Sequence, residues 1–107
     1  MAKSSTGMEE NVAALLSYVA GWITGLIFFL IEKDSKFVKF HAMQSIITFG
    51  ALHIIIIILS WIPFVNILAG IIGLGSLVLW IILMVKAYQG EKFKLPITGD
   101  LAEKWSA

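Results

Sequence analysis

Residues His41–Val85 read HAMQSIITFGALHIIIIILSWIPFVNILAGIIGLGSLVLWIILMV, and they contain no Asp, Glu, Lys or Arg. A single helix of this length would extend about 68 Å, more than twice the roughly 30 Å hydrocarbon core of a bilayer. The run must therefore double back. Pro63 is the only proline inside it, and proline has no N–H to give a helix ladder. A break at WIPFVN leaves His41–Ser60 and Ile67–Val85, each long enough to cross. A break at Gly70–Gly75 would leave Ser76–Val85, too short to span.

Upstream, Asn11–Ile31 is a second uncharged tract, about as long as one crossing needs. Composition agrees with immersion in lipid. Of 107 residues 59% are hydrophobic and 14% charged, with a mean hydropathy of +0.92. Ordinary soluble domains carry about 25% charged residues. The sequence thus predicts an all-α integral membrane protein, with three transmembrane helices in a compact bundle and a short cytoplasmic C-terminal tail. Its expected layout is an external tail at 1–10, spans at 11–31, 41–60 and 67–86, a cytoplasmic loop at 32–40, an external turn at 61–66 and a tail at 87–107.

Orientation follows from the lysines, since the chain has no arginine. Lys33, Lys36 and Lys39 occupy the loop, and Lys86, Lys92, Lys94 and Lys104 follow the last span, against Lys3 alone at the other end. Positive residues mark the cytoplasmic face. With three spans this places the N-terminus outside and the C-terminus inside the plasma (inner) membrane of a prokaryote. The first tract ends in FFLIEKD rather than a small-residue cleavage site, so it reads as a span and not as a cleaved signal. Lys33, Lys36, Lys39 and Lys86 are the expected lipid-headgroup contacts.

Helices in lipid pack through small residues and polar contacts. Ala13, Ser17, Gly21, Thr24 and Gly25 share one face of the first span, and Gly70 and Gly73 share one face of the third. These are the expected helix-packing positions, either within the bundle or against another copy. In the second span His41, Gln44, Ser45 and Thr48 stand at i, i+3, i+4 and i+7, forming one polar stripe. The stripe either satisfies loop backbone groups and its own members or lines a conduction path. His53 lies about 18 Å deeper than His41 and about 120° round the helix, so it does not continue the stripe. A neutral His53 bonded to a neighbouring helix or to the Phe49 carbonyl is expected. Thr6 with Glu9, and Asp100 with Glu103, match helix-capping patterns. The second would start a short tail helix with Leu101 and Trp105 on one face, folding back onto the interface or docking to a partner.

No catalytic, cofactor-binding or metal-ligating set is assigned. There is no cysteine, and no triad or carboxylate pair stands at useful spacing. His41 with Asp34 or Glu32 is the sole constellation a lipid-modifying enzyme could use. Expected partners are membrane lipids and further membrane subunits or copies of the chain, with no nucleic acid and no identifiable small molecule.

Two stretches, IEKDSKFVKFHAMQS and KAYQGEKFKLPITGD, resemble small prokaryotic membrane proteins of unknown function grouped with Tic-twenty, a chloroplast inner-envelope import component. The resemblance covers Asn11 to Glu103. It implies a polytopic protein and, by way of the chloroplast relatives, a translocation machine in which a channel role has been proposed. A non-enzymatic subunit or scaffold is the leading expectation, and an oligomeric transport component is the alternative.

Overall fold

The computed structural model describes residues 3–106. It is all-helical: α1 (Glu10–Val19), α2 (Trp22–Ile31), α3 (Lys36–Ser60), α4 (Asn66–Tyr88) and α5 (Thr98–Ser106). Two helices, α3 and α4, are long and apolar enough to cross a membrane. The turn between them holds Trp61, Pro63 and Phe64 (84% and 96% exposed for Trp61 and Phe64).

The first apolar tract departs from expectation. The helix expected over 11–31 is two helices of ten residues each, about 15 Å apiece and half a bilayer deep. The break falls at Ala20–Gly21. Gly21 adopts φ +63°, a conformation that costs glycine little and other residues more. Broken backbone in an apolar setting needs internal partners, and this break has them. The Ala20 N–H donates to the Thr24 hydroxyl at 3.0 Å, and the Ser45 hydroxyl donates to the Gly21 carbonyl at 2.8 Å. Gly21 and Thr24 therefore form a hinge and its cap as well as belonging to a small-residue ridge.

The two helices return to one end. Ser5, before α1, touches Glu32, after α2, and the Ser35 hydroxyl donates to Glu10. α2 runs antiparallel to α3. Gly25 comes so close that a Cβ there would stand 2.8 Å from the Ala42 carbonyl oxygen and 2.9 Å from the Ser45 Cβ. α1 packs on the last turns of α4, where Ala14, Tyr18, Phe49, Leu83 and Ala87 form a buried cluster.

The N-terminal segment, the 32–35 loop and the C-terminal tail thus share one end of a bundle measuring 49 × 22 × 21 Å. Beyond the hairpin tip only α3 and α4 continue. α5 begins at Thr98, so Asp100 falls inside its first turn instead of capping it. α1 likewise starts at Glu10 with no side-chain cap, and Thr6 does not form the expected capping box.

Candidate functional site

At the shared end, α3 presents the polar stripe to two partners at once, and His41, Gln44 and Ser45 are fully buried. The His41 Nε2 lies 2.9 Å from the Glu91 carbonyl. A carbonyl only accepts, so Nε2 carries the proton and Nδ1 accepts from the Tyr18 hydroxyl at 2.7 Å. Gln44 Nε2 donates to the Tyr18 hydroxyl and to the Phe93 carbonyl, each at 2.9 Å, while its Oε1 accepts from the Leu95 N–H at 3.0 Å. Both imidazole nitrogens, both Gln44 N–H donors and one lone pair of its Oε1 are used. Aromatic edges complete the enclosure, with the Phe37, Phe40 and Tyr18 rings 4.6, 5.1 and 5.5 Å from the His41 ring centre.

The stripe therefore bolts the extended tail, residues 91–95, and the α1 hydroxyl to α3. Among the described residues, His41 and Gln44 leave no N–H donor open to a substrate. Ser45 serves the hinge at Gly21. Thr48 stands apart, with a buried hydroxyl that finds no partner. It borders an apolar groove of about 460 Å³ between α3, α4 and the tail, lined also by Leu79, Leu95 and Pro96.

A second polar cluster, invisible from spacing, closes the hairpin. Glu32 is only 2% exposed. Its Oε2 accepts from the Ser5 N–H, the Ser5 hydroxyl and the Ser35 N–H, each at 2.9 Å, and from the Asp34 N–H at 3.1 Å. Burial by itself pushes this carboxyl up, but the bonds from Ser5, Ser35 and Asp34 outweigh it and hold the group below its ordinary value of 4.5. His41 pairs with Tyr18 and Glu91 and not with Glu32 or Asp34, so that particular pairing is not assembled.

Of the packing residues, Ala13, Ser17 and Gly25 are buried. Gly70 and Gly73 are not used within the chain, for a Cβ at either would meet nothing within 4 Å. Among the lysines, Lys39 lies over the Phe29 ring at 5.4 Å, and Lys86 pairs with Glu91 at 3.1 Å. Lys33 contributes its N–H to the Ser5 hydroxyl, and Lys36 is the first, exposed residue of α3. In the tail, Lys94 and Lys92 pair with Asp100 and Glu103.

Comparison with known proteins corrects the Tic-twenty resemblance. Residues 8–102 match the Magnetosome magnetite crystal formation protein family. A UPF0132 membrane protein of Methanocaldococcus jannaschii is 54% identical over 106 residues, covering 99% of this chain and 96% of its own. A UPF0132 membrane protein of Archaeoglobus fulgidus is 52% identical over 98 residues, covering 91% and 95%. No solved structure matches the chain. The two stretches that carried the import resemblance bind one another here, His41 to Glu91 and Gln44 to Leu95. Their pattern answers a packing requirement. The chain belongs to the Magnetosome magnetite crystal formation protein family, alongside archaeal relatives named as membrane proteins.

Proposed function

We propose that this protein is a non-enzymatic membrane subunit or scaffold that self-associates within the bilayer through the glycine face of α4. One observation carries the reading: Gly70 and Gly73 face open space on a helix that has no third neighbour in that half of the bundle. Small residues let helix backbones approach closely in lipid, and a second copy would present the same face. The closed network around His41 and Gln44 supports a structural duty for the polar end, because it leaves no N–H donor of either side chain free.

The topology that goes with this reading has two full crossings and a half-depth hairpin. All eight lysines then lie at the end carrying both termini, with none in the Trp61–Val65 turn. The excess of positive charge assigns that end to the cytoplasm, so the N-terminus is cytoplasmic and not external. The family description names magnetite crystal formation. Among the described residues no three His, Cys, Asp or Glu side chains gather closely enough to hold a metal ion, and the scaffold reading invokes no mineral contact by this chain.

Native mass spectrometry from lipid nanodiscs or mild detergent tests the proposal. Oligomers are expected from the wild type and monomers from Gly70→Leu with Gly73→Leu. A wild type that is monomeric at every protein-to-lipid ratio, with nothing co-purifying, would overturn it.

A further inference from the structure

Just past the tip of the α1–α2 hairpin, Trp22, Gly50, His53, Ile54 and Ile57 bound a niche of about 330 Å³ on the lipid side of α3. That volume is at the small end of the roughly 300–1,000 Å³ range of ligand pockets. His53 is its one polar wall. The Trp22 indole N–H donates to His53 Nδ1 at 3.1 Å. This fixes the neutral tautomer, because an accepting Nδ1 leaves the proton on Nε2. The His53 ring is exposed, and among the described residues no group accepts from Nε2.

Depth makes that free N–H consequential. His53 is seven residues from Ser60, about 10 Å from the Trp61 turn, and fourteen residues from Lys39, about 21 Å from the charged end. It lies within the hydrocarbon, where no water accepts and an unmade hydrogen bond is costly. Polar side chains at such depth are uncommon and tend to be functional. Phospholipid headgroups and their linkages stay at the interface, out of reach. The chain places no charge beside the niche, so a charged ligand has no counter-ion there.

We propose that the niche takes the head of a neutral, lipid-dissolved ketone of the quinone class, whose carbonyl oxygen accepts the His53 Nε2–H. The Trp22 indole and the two isoleucines line one side of the ring, and its other side faces the lipid. Gly50, whose missing side chain leaves room beside the Trp22 Cβ, opens the floor. Trp22 acts as a positioning residue, since it holds the tautomer that presents the donor.

The chain has two histidines, so a ¹⁵N-histidine-labelled sample in nanodiscs reports both imidazoles separately. Both His41 nitrogens are already engaged, which makes it an internal control of folding and of bulk partitioning. Titration with menadione is expected to shift the His53 Nε2 resonance saturably and to leave His41 in place. Binding in excess of empty nanodiscs should fall about tenfold in His53→Phe, the loss of one hydrogen bond in an apolar site. Ile57→Trp, which fills the niche and keeps His53, should abolish the shift while the His41 signals stay native. The proposal is overturned if both imidazoles move together, if neither moves, or if uptake equals that of empty nanodiscs. It is equally overturned if His53 responds to the protein-to-lipid ratio and not to menadione, which would assign the acceptor to a second copy.

Discussion

The two ends of this molecule solve the same problem, burying helix faces in lipid, by opposite means. At the charged end four helices and an extended tail interlock, with His41 and Gln44 binding backbone groups of residues 91–95 and Gly25 letting α2 touch α3. At the far end α3 and α4 stand as a bare pair, and Ile54, Ile58, Ile67, Ile71 and Leu74 face outward. Small residues serve the first end by closing contacts inside the chain. At the second they stay open, so an identical residue type has opposite consequences on the two sides of the hairpin tip.

Glycine substitutions are the sharpest way to break that contrast. Gly25→Leu must displace the Ala42 carbonyl or the Ser45 side chain and should cost about 3 kcal/mol in detergent unfolding, at the upper end of overpacking effects. Gly73→Leu, with open space before it, should change monomer stability by less than about 0.5 kcal/mol. Equal losses at the two sites would erase the distinction.

A smaller effect is expected from Gln44→Leu. It keeps the bulk but leaves the Phe93 carbonyl and Leu95 N–H without their partner, a loss of about 1–3 kcal/mol. Trypsin cleavage at Lys92 and Lys94 should accelerate, while exchange in the far halves of α3 and α4 stays unchanged.

Much of this contrast was legible from residue order, and the remainder had specific reasons for hiding. The doubling of His41–Val85 at Pro63 follows from length alone. The i, i+3, i+4, i+7 spacing brings His41, Gln44, Ser45 and Thr48 onto one face. The partners of the stripe are mostly backbone groups, the carbonyls of Glu91 and Phe93 and the N–H of Leu95, and backbone groups leave no pattern to read. The hairpin hid behind a coincidence: Asn11–Ile31 has the length of a crossing, and its hinge contains no proline. The signal available was Gly21 followed at Thr24 by a hydroxyl able to cap Ala20. The Glu32 clasp leaves no mark in residue order, because Ser5 and Glu32 are 27 positions apart and meet only once α1 and α2 fold back.

That clasp gives the smallest predicted effect. The Glu32 carboxyl is held below 4.5 in the folded protein, so its stabilising contribution is complete above 4.5 and disappears as pH falls through the lower folded value. The protection factors of the Asp34 and Ser35 amides, measured against intrinsic exchange at each pH, should therefore fall in acid, and Glu32→Gln should lower them at neutral pH. No comparable acid response is expected from the far half of α4, residues 66–77, which holds no titratable side chain.

In the proposed topology the half-depth hairpin places every lysine on the same membrane face as residues 5 and 104, and cysteine accessibility in sealed vesicles tests it directly. The chain has no native cysteine, so Ser5→Cys, Phe64→Cys and Lys104→Cys, all at exposed positions, each report one site to a membrane-impermeant maleimide. Labelling of positions 5 and 104 from the same side, with 64 reached only from the opposite one, is the predicted result. Positions 5 and 64 reacting together, with 104 protected, would mean that Asn11–Ile31 crosses the bilayer as one helix and would contradict the account.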